Sequence, residues 1–146
     1  MIQEELVFVD SELNTKEAII DLISKTAKAQ DLIEDVDSFK EKVFAREAEI
    51  STSIGSLVAI PHGKSDTVKT PFIGFVRTKE GFKWDENSDE LVRLIFLIGV
   101  PDKGADRLHL KYIAQISKKL INDEFREALL TLQGKQAVYD LLKSIK

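Results

Sequence analysis

The chain has 146 residues, enough for one domain with a sizeable hydrophobic core. Its hydrophobic share of 43% and charged share of 32% are typical of a soluble globular protein, and the absence of cysteine excludes disulfides, thiolate chemistry and cysteine-based zinc sites. The formal net charge of -4 argues against a nucleic-acid-binding protein, which would normally display a basic face.

The first third of the chain predicts one strand and two helices. Residues 5–9 are β-prone, and Asn14 followed by Glu17 matches a capping box that would start a helix over residues 15–29. The spacing of apolar residues predicts a second helix over residues 38–48.

The middle of the chain predicts strands. Residues 57–60 form an apolar strand, which we expect Pro61 to end because proline has no N–H to give to a β-ladder. Residues 72–77 are rich in β-forming residues and residues 82–84 alternate between apolar and polar, on either side of the turn-forming segment 79–81, so they predict a hairpin.

The last third predicts a central strand and three helices. Residues 91–98 are almost continuously aliphatic, as expected of a strand covered on both faces. Helical periodicity covers residues 105–121, 124–132 and 135–145. The fold class is therefore α/β, a single domain with a mixed β-sheet flanked by helices on both faces.

The chain carries no targeting or membrane signal that we recognise. The N-terminal segment, residues 1–5, lacks the basic start and apolar stretch of a secretory signal. The longest apolar run, residues 94–100, is far shorter than the ~20 residues that span a bilayer. We expect a cytoplasmic protein with no direct membrane insertion.

His62 is the most informative of the residues that could do chemistry. It follows the predicted strand 57–60, at the strand end where open α/β sheets usually bind ligands. An imidazole nitrogen is a competent base or nucleophile near neutral pH, and Gly63 would let a partner approach the ring closely. Position alone leaves a loop histidine with no task equally open.

His109 and Arg46 each allow a structural and a functional interpretation. His109 lies in the first turns of the predicted helix 105–121, whose start could hold phosphate and keep an imidazole neutral. Considered with this helix alone, it is more simply a core-edge histidine. Arg46, near the end of the second helix, either stabilises that helix end or clamps phosphate oxygens.

Three polar residues between Arg46 and His62 are candidate supporting groups. Glu47 is expected to be a solvated helix residue, with a smaller chance of orienting Arg46 or His109. Ser51 and Thr52 are most simply turn formers, and they also offer hydroxyl donors close to the predicted strand.

Motifs of other phosphate-binding, metal-binding and hydrolytic sites are absent from the sequence. The sequence has no Gly-x-x-x-x-Gly-Lys loop, no Gly-x-Gly-x-x-Gly turn, no His-Glu-x-x-His and no Gly-x-Ser-x-Gly. Two histidines without cysteine argue against a structural zinc site. We expect neither a metal nor a cofactor, and no pair of Asp or Glu stands out as the centre of a hydrolase.

The segment from Arg46 to His62 resembles the enzyme IIA family (EIIA type 2) of the bacterial sugar phosphotransferase system, fructose–mannitol type. The shared pattern is Arg-Glu at 46–47, a Ser-Thr-x-Ile-Gly turn from residue 51, and an apolar strand that closes in Ala-Ile-Pro-His. The resemblance covers residues 1–146. It implies one α/β domain in which His62 becomes a phosphohistidine, with His109 and Arg46 beside the reactive ring.

The resemblance also implies partners. In this family the phosphoryl group arrives from the phosphocarrier HPr and passes to an enzyme IIB, which serves a membrane enzyme IIC. Two alternatives stay open: a regulatory module of the nitrogen or antiterminator type, which signals by its phosphorylation state, and a non-catalytic interaction protein with inert histidines.

Two positions depart from the family pattern, which often has glycine where this chain has Ser53 and Leu57. We expect Leu57 to fit in the strand as an apolar residue. Ser53 would then take the backbone shape of a glycine, and a strained shape would cost of order 1–3 kcal/mol. For the chemistry, we expect the His62 ring to be neutral, with a backbone acceptor on one nitrogen that fixes the tautomer and leaves the other nitrogen exposed.

Overall fold

The computed structural model describes residues 2–105 and 107–145, which form a six-stranded sheet and five helices. The strands are β1 (Ile2–Ser11), β2 (Ser53–Gly55), β3 (Val58–Ala59), β4 (His62–Ser65), β5 (Phe72–Lys83) and β6 (Leu91–Pro101). The helices are α1 (Lys16–Ala29), α2 (Val36–Glu49), α3 (Leu108–Leu120), α4 (Asp123–Thr131) and α5 (Lys135–Leu142). The predicted α/β class is confirmed.

The sheet is mixed and is organised around β6. Its strand order is β1-β5-β6-β3-β2, with β4 also paired to β6. β5 runs antiparallel to β6, whereas β3 and β4 run parallel to it and β1 runs parallel to β5. β6 therefore has a neighbouring strand along each edge and is the central strand that its continuous aliphatic sequence predicted.

Helices cover the two faces of the sheet. α1 and α2 pack on one face through a buried cluster that includes Ile95 and Leu97 of β6. α3, α4 and α5 pack on the other face with Leu94, Phe96 and Ile98. Alternate β6 side chains thus enter opposite cores, and each buried aliphatic or aromatic side chain contributes roughly 1.5–3 kcal/mol.

The two N-terminal helices begin differently from the prediction. The N-cap of α1 is Thr15, whose hydroxyl accepts a hydrogen bond from Ala18 N at 3.1 Å, so the expected Asn14 cap is wrong. α2 begins at Val36, because the Asp35 carboxylate accepts from Ser38 N at 3.0 Å. In both cases a neighbouring residue with extended backbone and a suitable side-chain oxygen takes the cap.

The predicted hairpin over residues 72–84 is wrong. β5 runs from Phe72 to Lys83 without a reversal and pairs antiparallel with β6. The register shifts between Arg77 and Phe82, where β5 holds more residues than the facing part of β6. Gly81 lies against Leu91 in this region, since a Cβ there would be 3.1 Å from the Leu91 Cβ. The glycine allows a close approach of two strands instead of a turn.

Pro61 interrupts a strand without ending the pairing with β6. Val58 of β3 faces Leu94, and the parallel register resumes with His62 of β4 opposite Ile98. Pro61 takes part through its carbonyl, which accepts from Ile98 N at 3.0 Å. The missing N–H of proline therefore splits the strand, and His62 lies on a strand and not in a loop.

Leu57 is not in a strand, contrary to the expectation. Ser56 and Leu57 have φ values of 56° and 69°, and they connect the antiparallel strands β2 and β3. Two consecutive left-handed residues are typical of a tight hairpin loop, where glycine or asparagine is preferred. Ser53 belongs to β2 and has no positive φ, so the expected strain at Ser53 is wrong and lies in the loop instead.

None of the helices within residues 2–105 and 107–145 combines the length and the apolar character that crossing a bilayer requires.

Candidate functional site

His62 is the centre of the candidate site. It is the first residue of β4, half-buried, and its Nδ1 lies 3.1 Å from the carbonyl oxygen of Ile60. A carbonyl oxygen can only accept a hydrogen bond, so in the neutral ring Nδ1 carries the proton. Nε2 then keeps its lone pair. This is the arrangement of one backbone acceptor and one free nitrogen that we expected from the chemistry.

The surroundings of His62 keep its ring neutral. Burial lowers the pKa of His62 below its usual value, and the positive charge of Arg46 lowers it further. The hydrogen bond to Ile60 and the charges of Glu47 and Glu49 act in the opposite direction without reversing the shift. The ring is therefore a base with an available lone pair at neutral pH.

His109 lies beside His62. It is the second residue of α3, and the two imidazole rings stack with centroids 5.6 Å apart and planes inclined by 26°. Burial lowers the pKa of His109, with smaller contributions in the same direction from His62, Lys64 and Arg46. Its Nδ1 is buried and has no hydrogen-bond partner among the described residues. The site thus contains two neutral imidazoles, and the Nδ1 atom of His109 makes no hydrogen bond to the described residues.

Arg46 lies in the last turn of α2, near both rings. Its Nη1 donates to the Ile50 carbonyl at 2.8 Å, so it does stabilise the helix end. Its charge also lowers the pKa of His62 and of His109, as a nearby cation must. Both interpretations of Arg46 are therefore compatible with its position, and the structure brings together the three residues that the sequence singled out.

Glu47 is buried, so the expectation of a solvated residue is wrong. Only 8% of it is exposed, and its carboxylate accepts from Lys16 Nζ at 3.1 Å and from Trp84 Nε1 at 3.2 Å. It also accepts from the hydroxyl of Thr52, and from its amide at 3.5 Å. Glu47 therefore joins α1, the end of β5 and the segment after α2, next to Arg46.

Ser51 acts within its own turn. Its hydroxyl accepts from Ser53 N at 3.2 Å and lies 3.0 Å from the Ser53 hydroxyl. This fits the simpler of the two expectations for Ser51, a turn former. Thr52 differs, because it is buried and bonded to Glu47.

Gly63 serves packing, which corrects the expectation that it opens the ring to a partner. It is buried, and a Cβ at this position would lie 2.7 Å from Val43 Cγ2 and 3.0 Å from Phe39 Cε1. Without a side chain, β4 can approach α2 closely.

Two neighbours of the site were missed by the sequence analysis. Lys64 shares the face of β4 with His62, because side chains alternate along a strand, and its charge lowers the pKa of His109. The alternation in His-Gly-Lys was a usable signal for it. Trp84 is buried and bonded to Glu47, and no local pattern indicated that contact.

Within the two described stretches of chain, no group of three or more His, Asp or Glu residues could hold a metal ion.

Comparison with protein families gives a match over almost the whole chain. A family model described as "Phosphoenolpyruvate-dependent sugar phosphotransferase system, EIIA 2" matches residues 1–145. The fructose-specific EIIA component of the phosphotransferase system (PTS) of Haloferax volcanii is 33% identical over 141 residues, which cover 97% of this chain and 91% of that protein. Other relatives are longer, and the chain spans 22% of the fructose-specific EIIABC component of Bacillus subtilis, with 29% identity.

Solved structures share the fold. The nitrogen regulatory protein IIA-Ntr of Neisseria meningitidis superposes with a TM-score of 0.86 at 28% identity, covering 97% of this chain and 95% of that one. A chain from the complex of enzyme IIAMtl and phosphorylated enzyme IIBMtl of Escherichia coli superposes with a TM-score of 0.82 at 22% identity, covering 98% and 97%. With the family match, these findings show that the chain belongs to the EIIA type 2 family of the phosphoenolpyruvate-dependent sugar phosphotransferase system and is a phosphoryl carrier.

Proposed function

We propose that His62 carries the phosphoryl group on its Nε2 atom. The observation that supports this most directly is the hydrogen bond from Nδ1 to the Ile60 carbonyl, which leaves Nε2 as the nucleophilic nitrogen. The lowered pKa of His62 also favours the neutral ring that the attack requires.

The transfer step is a displacement at phosphorus. The Nε2 lone pair of His62 forms the new N–P bond while the bond from phosphorus to the donor atom breaks, and the donor keeps that electron pair. The Nδ1 proton stays on the ring, where the Ile60 carbonyl stabilises the positive charge that the ring gains. Transfer to the next protein is the same displacement in reverse, so no metal or nucleotide has to take part.

His109 and Arg46 are proposed to stabilise the phosphoryl group as its charge shifts. The rings of His62 and His109 stack at 5.6 Å, which brings an imidazole N–H donor near the transferred oxygens. Arg46 Nη1 donates to the Ile50 carbonyl, and the guanidinium has further N–H groups that could donate to phosphate oxygens. Phosphoryl transfer depends mainly on such positioning and electrostatic stabilisation.

Glu47, Thr52 and Ser51 are proposed as supporting residues of this site. Glu47 and Thr52 are buried and bonded to each other, and Ser51 orders the same segment through its bonds to Ser53. None of them needs to touch phosphate in order to act, because each shapes the chain between α2 and β3.

HPr is proposed as the phosphoryl donor and an enzyme IIB as the acceptor, which would in turn serve a membrane enzyme IIC. The fold is shared with a protein whose solved structure is a complex with phosphorylated enzyme IIBMtl. We place the carrier in the cytoplasm and treat residues 1–146 as one domain of this family, which the family match over residues 1–145 supports.

Regulation is a second candidate function. The likeness to the nitrogen regulatory protein IIA-Ntr, at a TM-score of 0.86 and 28% identity, favours it. The two roles diverge once His62 is phosphorylated. Onward transfer to a cognate enzyme IIB indicates transport, whereas a partner that binds only one phosphorylation state indicates regulation.

Intact mass spectrometry after incubation with enzyme I, HPr and phosphoenolpyruvate tests the proposal. The wild-type chain should gain one acid-labile phosphoryl group, His62→Ala should gain none, and His109→Ala should gain it more slowly, by about 10²-fold. His109→Gln keeps an N–H donor and should recover part of the rate. Undiminished phosphorylation of His62→Ala would show that the site is misassigned.

A further inference from the structure

We infer that Glu47 and Thr52 are positioning residues for His62, which they orient through the backbone of Ile60. The inference rests on the proposed role of His62 in phosphoryl transfer. It goes further, because it names a hydrogen-bonded path that begins at a buried carboxylate and ends at the ring nitrogen opposite the reacting one.

The path begins at the Glu47 carboxylate. This group is buried and fixed by donors from two other parts of the fold: Lys16 Nζ of α1 at 3.1 Å and Trp84 Nε1 at 3.2 Å. A buried carboxylate with several charge-assisted or neutral donors has a single favourable position. Glu47 is therefore a fixed point next to Arg46, which is the preceding residue of α2.

The second step joins Glu47 to Thr52. The Thr52 hydroxyl donates to one carboxylate oxygen, and the Thr52 amide lies 3.5 Å from the other. Thr52 is only 6% exposed, so water does not compete freely for these groups. The segment after α2 is thereby held against the helix end.

The third step reaches the ring. Ile60 N donates to the Thr52 carbonyl at 3.0 Å, and the Ile60 carbonyl accepts from His62 Nδ1 at 3.1 Å. The hydrogen bond to Thr52 therefore fixes the backbone of Ile60, and the Ile60 carbonyl in turn orients the His62 ring. A displacement of Thr52 moves the acceptor that determines which nitrogen of His62 carries the proton.

The consequence for chemistry lies in the tautomer. A neutral imidazole can hold its proton on either nitrogen, and the partner of one nitrogen decides the choice. With the Ile60 carbonyl in place, Nδ1 is protonated and Nε2 has the lone pair that attacks phosphorus. If the carbonyl shifts, the tautomer with a proton on Nε2 gains population, and that tautomer cannot attack through Nε2.

Thr52→Val tests the path because it removes the hydroxyl and keeps the branched shape. Thr52→Ser is the conservative variant, and Thr78→Val is the matched control: Thr78 is 1% exposed and its hydroxyl donates to Glu80 O at 2.7 Å, on β5. The first readout is the pair of ¹⁵N chemical shifts of the His62 ring at a pH where it is neutral. The second is the rate of phosphoryl uptake from HPr.

We expect Thr52→Val to raise the share of the Nε2–H tautomer of His62 and to slow uptake by about tenfold, a modest loss for a misplaced reacting group. Thr52→Ser should restore both values, and Thr78→Val should change neither. A folded Thr52→Val protein with the tautomer ratio and uptake rate of Thr78→Val would overturn the inference.

Trp84→Phe provides a second test if Thr52→Val does not fold. It removes the Nε1–H donor to Glu47 and keeps an aromatic ring in the core. The tautomer ratio of His62 should shift in the same direction, and an unchanged ratio would reject the path. These ratios are measured without any phosphoryl donor, so they decide the inference even if HPr fails to phosphorylate the wild-type chain, a result that would count against the proposed function alone.

Discussion

The imidazole of His62 stacks on that of His109, with ring centroids 5.6 Å apart and planes inclined by 26°. One ring comes from the start of β4 and the other from the first turn of α3, so the pair exists only in the folded chain. The proximity of His62 contributes to the lowered pKa of His109, since a charge on one ring opposes a charge on the other.

Acid should destabilise the protein through this pair. The pKa values of His62 and His109 both lie below the ordinary histidine value of 6.5, mainly because of burial. An unfolded chain therefore binds more protons, so the stabilisation is complete above about pH 6.5 and is lost as the pH falls through the folded pKa values. Urea denaturation at a series of pH values should show a shallower fall for His62→Gln than for wild type. Parallel pH profiles would contradict this expectation.

Removing the cation at the end of α2 should raise the pKa of His62. Arg46→Ala takes away a positive charge that lowers the pKa values of both histidines, and Arg46→Lys keeps it. Titration of the imidazole C–H resonances by NMR measures both values. The lost helix-end interaction with Ile50 should also reduce the free energy of unfolding by about 0.3–1 kcal/mol. Unchanged histidine pKa values in Arg46→Ala would show that the guanidinium lies too far from the rings.

A side chain at Gly63 should force α2 away from β4. A Cβ there would lie 2.7 Å from Val43 Cγ2, so Gly63→Ala should lower the free energy of unfolding by about 1–3 kcal/mol. Val43→Ala removes the clashing methyl. In the Val43→Ala background, Gly63→Ala should therefore lower the free energy of unfolding by less than it does in the wild-type chain, which a double-mutant cycle measures. Additive effects would contradict the packing role of this glycine.

Glycine should have opposite effects at two nearby serines. Ser56 is exposed and has a φ of 56°, so Ser56→Gly should raise the free energy of unfolding by about 0.5–1 kcal/mol. Ser53 is in β2 without a positive φ, so Ser53→Gly should lower it by about 0.5–1 kcal/mol. Thermal or urea denaturation distinguishes these signs. A gain in stability for Ser53→Gly and a loss for Ser56→Gly would place the strained backbone at Ser53, where the family pattern often has glycine, and would contradict this prediction.

Local pattern predicted the elements whose character is set by their own residues. The aliphatic segment that became β6 had to be buried on both faces, and the apolar spacing of α1 had to face a core. His109 and Arg46 were correctly placed at the ends of their helices, whereas His62 begins β4 and does not follow the end of a strand. Their roles remain proposals.

Features that depend on distant partners could not be predicted in this way. Glu47 looks like a surface helix residue until Lys16 and Trp84 supply donors from elsewhere in the chain. Gly81 is compatible with a turn or with a close strand approach, and only the pairing with β6 decides between them. Pro61 must interrupt the hydrogen bonds of a strand, but whether the strand resumes after it depends on pairing with β6, which the local sequence does not reveal.

The resumed pairing at His62 has a mechanical consequence for the phosphoryl transfer proposed above. His62 pairs with Ile98, a fully buried residue of the central strand β6, and the Ile98 amide donates to the Pro61 carbonyl. Such strands open only in global unfolding. The backbone that carries the proposed phosphoryl-accepting ring is thus held in place, and any adjustment during docking falls to side chains around the ring or to the partner protein.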